Sequence, residues 1–285
     1  MDESRRYETM QVVSQDGTTI GCRTLGRGPG LILLHGGMKA AQHHMALAEL
    51  LSDTYTVYVV DRRGRGLSGP VRERYGVAAE AEDLGAVVTA TGARRVFGLS
   101  SGALIALHAA ERGMPLDEIV LYEPPLLIDD SVSLDWVERY LHELGQGRLI
   151  PALVTALKGT QADPGLARIP RVVLVPFISI LLTLIDKPKG DDVSIRSLIP
   201  TQRYDMQIIR EMAGTLAAYD TLQARTLLIG GTKSPDYLRA ALDALADTVP
   251  DNRRVTLPGL GHDGPEDDGQ PKTVADEMRG FLTTG

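Results

Sequence analysis

Arg95-Val96-Phe97-Gly98-Leu99-Ser100-Ser101-Gly102-Ala103-Leu104-Ile105-Ala106-Leu107 is the stretch on which the fold of this chain turns. A β-rich run enters Gly98-Leu99-Ser100-Ser101-Gly102, of the form G-x-S-x-G, and a helical pattern leaves it. With 30 glycines and 12 serines in 285 residues, chance alone writes that pattern in about one such chain in eight, so the setting carries the weight. Strand, sharp turn and helix are what the motif needs to hold a serine hydroxyl above a sheet. The glycines let neighbouring backbone pass close to a strained turn, and the helix N-terminus favours negative charge developing there. A serine that only caps the helix is the ordinary alternative.

Outward from this turn, β-rich runs alternate with helical patterns. Strands are expected at Leu31–Leu34, Tyr55–Val60, Arg95–Leu99, Glu118–Tyr122, Arg225–Ile229 and Arg254–Leu257. Runs such as Leu31–Leu34 have no polar face, as in a parallel sheet covered on both sides. Glu8–Ser14 and Thr19–Leu25 flank an Asp16-Gly17 turn and read as a hairpin. Helices are expected over Lys39–Leu51, Val77–Ala90, Ala103–Arg112, Tyr237–Val249 and Lys272–Leu282. The alternation stops after Glu123-Pro124-Pro125. Between 126 and 220 only helical patterns appear, at Leu134–Leu144, Ile150–Leu157, Arg171–Leu184 and Arg203–Tyr219. The expected architecture is an α/β core formed by 1–125 and 221–285, with a helical cap, 126–220, inserted.

Composition bounds the function. Apolar residues make up 43% and charged residues 24%, ordinary for a globular protein. A net charge of −7 argues against nucleic acid or an anionic membrane as partner. The single cysteine, Cys22, requires no oxidising compartment. Met1–Arg6 is polar and leads into no apolar core, so no leader is expected and the default location is cytoplasmic. Val172–Ile185 is the longest apolar run, interrupted by Pro176, Ser179 and Thr183 and shorter than the ~20 residues of a membrane span. Two readings stay open for it and for Ile150–Leu157: helices that line a cleft, or helices that simply pack on the core. One tryptophan and three phenylalanines suggest an aliphatic pocket. No Cys/His cluster has metal spacing and no cofactor is implied. Gly64-Arg65-Gly66-Leu67-Ser68-Gly69 matches a dinucleotide fingerprint, but no amphipathic helix follows and no ribose acid is in place. The expected partner is a small-molecule substrate. Monomer and homodimer are both open.

Four segments in order make the chain resemble the α/β-hydrolase fold superfamily, in particular its capped, bacterial esterase- and lipase-like members. They are Leu33-Leu34-His35-Gly36-Gly37-Met38, Asp61-Arg62-Arg63-Gly64-Arg65-Gly66-Leu67-Ser68, the turn Gly98–Gly102, and Pro258-Gly259-Leu260-Gly261-His262. The resemblance implies a mostly parallel eight-stranded sheet flanked by helices and a cofactor-free serine hydrolase. Ser100 would be the nucleophile, which excludes relatives that need Asp at that turn. His262 would be the base and His35 a support of its loop. The N–H groups of Gly37, with Met38 as the alternative, and of Ser101 would form the oxyanion hole. Asp61 and the following arginines would tie a loop down. The acid departs from the pattern: Gly231-Thr232-Lys233-Ser234-Pro235 has Ser234 where Asp is usual. Glu123, at the tip of the neighbouring strand, is the first choice. Asp236 is the alternative, and Asp220 lies at the wrong end of its strand. The expected substrate is a small or medium apolar ester, lactone or related carbonyl compound. The unusual acid keeps non-hydrolytic chemistry (cyclisation, condensation, C–C cleavage) or mere ligand binding as alternatives.

Overall fold

A computed structural model describes residues 7–128, 133–161, 165 and 168–282. The segment Met1–Arg6, read above for a leader, lies outside the described residues. Eight strands form one sheet: β1 (Glu8–Val13), β2 (Thr19–Leu25), β3 (Gly30–Leu34), β4 (Thr56–Asp61), β5 (Arg95–Leu99), β6 (Glu118–Tyr122), β7 (Arg225–Gly231) and β8 (Asn252–Leu257). Their order is β1-β2-β4-β3-β5-β6-β7-β8. The hairpin β1–β2 and the pair β2–β4 are antiparallel, and every other pair is parallel. β3, β5 and β6 are consecutive neighbours, so the strand ends carrying His35, Ser100 and Glu123 sit side by side.

The central strands alternate between two cores, because successive side chains face opposite sides. Ile32, Leu34, Val96, Ile119, Leu121 and Leu228 enter one apolar cluster, with α2 (Val77–Thr91) and α3 (Ser101–Glu111). Leu31, Leu33, Phe97, Leu99, Val120, Tyr122, Leu227 and Ile229 enter the other, with α1 (Met45–Leu51) and α9 (Pro271–Phe281). Burial on both faces is what their unbroken apolar sequence demands.

Between β6 and β7 lie α4 (Trp136–Gly145), α5 (Leu149–Thr160), α6 (Arg171–Ile185) and α7 (Gln202–Glu211), with no strand among the described residues. A third, smaller cluster built on Tyr140, Leu153, Val154, Leu174, Ile178 and Leu182 holds them together. Helix α8 (Asp236–Thr248) follows β7. Two helices expected as single units are broken. Lys39–Leu51 begins as a 3₁₀ turn, Ala41–His44, where the Asp61 carboxylate accepts from the Ala41 N–H at 2.8 Å. Arg203–Tyr219 stops at Glu211; Gly214 takes φ +74° and a separate 3₁₀ turn, Leu216–Tyr219, follows.

The reading of Val172–Ile185 as lining a cleft is wrong. Helix α6 buries only Leu174, Ile178 and Leu182 and leaves most of its other large apolar side chains in solvent. Hydrophobicity marked this helix but not which surface it covers, since apolar residues are common on protein surfaces. No helix among the described residues is long and apolar enough to cross a membrane.

Candidate active site

The turn after β5 carries the strain the sequence implies. Ser100 sits at φ +56°, ψ −122°, a conformation L side chains rarely adopt. Its N–H donates to the Tyr122 carbonyl at 2.9 Å, and its own carbonyl accepts from the Ala103 N–H at 2.9 Å. Glycine is forced next door: a Cβ on Gly102 would stand 2.5 Å from the Leu34 carbonyl oxygen and 2.7 Å from that of His35. Both neighbours are backbone and cannot yield. Gly102→Ala is therefore expected to cost about 3 kcal/mol or more, read as a fall in the urea midpoint. Gly280→Ala, with nothing within 4 Å of the added carbon, is expected to be neutral or slightly stabilising.

Glu123 directly follows β6 at φ +48°, its N–H donating to the Ile229 carbonyl at 3.0 Å. Its side chain is fully buried. Glu123 Oε2 and His262 Nδ1 are 2.7 Å apart. Glu123 Oε1 accepts from the Gly231 N–H at 2.7 Å and from the Ser234 hydroxyl. Burial pushes the Glu123 carboxyl up, but the His262 ring, the Ser234 hydroxyl and the Gly231 N–H together outweigh it and hold it below the ordinary carboxylate range. So the serine that replaces the usual acid donates to the carboxylate that faces the histidine. Asp236 is not brought there. Its side chain is 94% exposed at the start of α8 and pairs with Arg239, because Pro235 ends the turn and the helix begins at once.

His262 lies on the loop after β8, pinned at several points. The Tyr122 hydroxyl donates to the Gly261 carbonyl at 2.7 Å, and the Lys233 N–H to the Leu260 carbonyl at 2.9 Å. Farther along, Glu266 pairs with Lys39, which follows Met38 on the loop after β3. Burial raises the Glu266 carboxyl although Lys39 pulls it down. This pair links the loop carrying His262 to the loop carrying Gly37 and Met38.

His35 is buried and neutral, its ring held well below its usual range by burial and by the Arg65 and Arg62 guanidiniums. Its Nε2 accepts from the Arg62 N–H at 3.2 Å, and its Nδ1 lies 2.8 Å from the Gly36 carbonyl. It thus supports the loop that leads to Gly37. Met38 takes φ +51°. Asp61 ties the next loop down by accepting from Ala41 and Leu67.

Ser100, Ser101, Gly37, Met38 and His262 share one cavity of about 220 Å³. Leu157, Thr160, Gln202, Asp205 and Ile209 line it from the inserted helices. The apolar part of the lining is aliphatic, as composition suggests, with Met38, Leu99, Pro125, Leu157 and Ile209 and one aromatic residue, Tyr237. Composition says nothing of the polar groups that join them, Lys39, Gln202, Asp205, Asp263 and Glu266. A larger groove, about 1050 Å³, runs between β1, α2 and α3 and includes none of the candidate residues.

Asp205 carries a role that sequence reading missed. From α7 it reaches Ser101, whose hydroxyl donates to Oδ1 at 2.8 Å. Arg62 Nη1 donates to the same oxygen at 2.8 Å and to Ser101 Oγ at 2.9 Å, and Arg65 Nη2 donates to Oδ2 at 2.6 Å. Arg62 also grips Glu80 through both oxygens, at 2.8 and 3.1 Å. Burial pushes Asp205 up, but Arg65 and Arg62 hold it below its ordinary range. No local pattern could reveal this, since Asp205 stands 104 residues from Ser101 and 143 from Arg62.

A turn that strains a serine above a parallel sheet, with a buried carboxylate on a histidine beside it, defines a class. Residues 31–277 match the model of the alpha/beta hydrolase family, and the chain belongs to that family. It is 41% identical over 106 residues to the N-formylmaleamate deformylase of Pseudomonas putida, covering 35% of this chain and 39% of that protein. It is 32% identical over 143 residues to the uncharacterized hydrolase YraK of Bacillus subtilis, covering 48% and 51% respectively. The matches thus span about half or less of these curated relatives. Among solved structures, an alpha/beta hydrolase from Sphaerobacter thermophilus is similar with a TM-score of 0.75 at 29% identity, covering 94% of this chain and all of that one.

Proposed function

We propose that the chain is a cofactor-free serine hydrolase whose cap, 126–220, covers a compact acyl-binding site. Ser100 Oγ attacks the substrate carbonyl while His262 takes its proton. Glu123 fixes the imidazole with Nδ1 protonated, so that Nε2 accepts, and stabilises the imidazolium that forms. The N–H groups of Gly37 and Ser101, with Met38 as alternative to Gly37, hold the oxyanion; one such donor contributes about 3 kcal/mol. His262 then protonates the leaving group, and water, activated by the same ring, cleaves the acyl-enzyme. The observation that carries this reading is the 2.7 Å contact between buried Glu123 and His262. It supports an acid at the site despite Ser234.

The small, mainly aliphatic cavity with a few polar side chains supports a compact substrate more than a long chain. An ester or lactone is the first reading. An N-acyl or N-formyl substrate is the second, favoured by the partial match to a deformylase. A fluorophosphonate probe is expected to label the wild type and not Ser100→Ala. Hydrolysis of short-chain p-nitrophenyl esters is expected to fall with the same substitution by about 10⁴-fold or more. No labelling of folded wild type sinks the nucleophile assignment. Faster cleavage of small N-formyl amides than of any ester in a panel favours the second reading.

A further inference from the structure

Helix α7 turns one face to the turn after β5. Gln202, Asp205 and Ile209, spaced by three and four, share that face and line the cavity that holds Ser100. Asp205 is fully engaged, Oδ1 by Ser101 and Arg62 and Oδ2 by Arg65. Gln202 is not, although it is only 5% exposed. Its one side-chain hydrogen bond runs from Nε2 to the Met206 thioether at 3.5 Å, and a thioether accepts weakly. Its Oε1 has no hydrogen-bond partner among the described residues. That oxygen lies against the loop proposed to hold the oxyanion. A Cβ on Gly37 would stand 2.6 Å from it, and a Cβ on Gly36 would stand 3.0 Å from the Ser100 Cβ.

A buried amide oxygen costs free energy when nothing donates to it. The other polar side chains near it are committed elsewhere. The Thr160 hydroxyl donates to the Ala156 carbonyl at 3.0 Å, and the Tyr237 hydroxyl to the Thr160 carbonyl at 3.2 Å. The Ser101 hydroxyl donates to Asp205, and Lys39 pairs with Glu266. The donor must therefore arrive with what enters the cavity. An acyl group that displaces water from Oε1 has to donate in its place or lose binding. In a cavity of about 220 Å³ a short acyl group has little room to avoid this oxygen.

We propose that Gln202 is a specificity-determining residue, its Oε1 accepting a hydrogen bond from an O–H or N–H group on the acyl part of the substrate. This rests on the acyl-enzyme reading above and narrows its substrate class to short hydroxyacyl or carbamoyl-bearing acyl groups. Three pairs of p-nitrophenyl esters test it, each a polar acyl group against its apolar isostere: glycolate with propionate, 3-hydroxypropionate with butyrate, malonamate with 3-methylbutanoate. Each kcat/KM is divided by the rate of hydroxide on the same ester, which removes intrinsic reactivity. Wild type is expected to prefer the polar member of at least one pair by about tenfold or more. Gln202→Met, matched in length, is expected to bring that ratio near one, chiefly by raising KM for the polar ester. Gln202→Asn, which withdraws the oxygen by one methylene, is expected to lose most of the preference and decides the matter if Gln202→Met unfolds. The pair with the largest ratio tells a hydroxyl from an amide N–H. A polar preference kept by either folded variant overturns the assignment to Gln202. Wild type that takes the fluorophosphonate probe but shows no preference in any pair overturns this inference alone. Folded wild type that takes neither probe nor ester overturns the serine-hydrolase reading and this inference with it.

Discussion

Glu123→Gln is expected to lower kcat on a short ester by about 10³–10⁴-fold while leaving KM and the fold little changed. The amide keeps the shape of the carboxylate but adds a donor. An amide N–H facing His262 Nδ1 forces the proton onto Nε2, and that nitrogen can then no longer accept from Ser100. The imidazolium also loses its buried counter-charge, which sits 2.7 Å away in the wild type. Asp236→Asn is expected to do nothing, because that carboxylate is in solvent on α8 and pairs with Arg239. Ser234→Ala should fall between, with a loss of roughly tenfold, since it removes one of the donors that aim Glu123 at the ring. Steady-state kinetics of the three variants, with circular dichroism to verify folding, give the ranking. A larger loss at Asp236 than at Glu123 overturns the assignment.

That ranking also shows how far the residues speak for themselves. Glu123 could be singled out because the run it ends was expected beside the strand leading to Ser100, and β6 does pair with β5. Ser234 read as a defect in the motif; only the packed turn shows its hydroxyl turned onto Glu123. The central strands were legible to within a residue or two, because Leu31–Leu34 and Glu118–Tyr122 admit no exposed face. Helices between β6 and β7 were expected and are present, but their orientation was not legible. An apolar run such as Val172–Ile185 is compatible with a cleft, a core or a contact surface, and nothing local separates the three. Asp205 was invisible for a different reason. Its partners come from β4 and the turn after β5, and a single acid in Arg203-Tyr204-Asp205-Met206 gives no sign that two buried arginines wait for it.

Asp205→Ala is accordingly expected to cost about 3–5 kcal/mol, the range for breaking a buried ion pair by removing one partner. Arg62 keeps Glu80, but Arg65 loses the carboxylate that Nη2 contacts, and its Nε and Nη1 are already buried without partners. A charge left dry and uncompensated destabilises the fold more than the pair stabilised it. In a chain of this size the thermal midpoint should fall by about 10 °C. The acid dependence follows from the sign of the shift. Asp205 titrates lower in the fold than in the unfolded chain, so its contribution is complete above the unfolded value of ~3.9 and is lost as pH falls through the lower folded value. The gap between wild type and Asp205→Asn should therefore be widest above pH ~4 and narrow below it. Activity should fall too, because the Ser101 hydroxyl is fixed by Arg62 and Asp205 together and its own N–H is the proposed oxyanion donor. If Asp205→Ala melts with the wild type at neutral pH, water has replaced the carboxylate around Arg65, and α7 is not held to the turn after β5 by this charge.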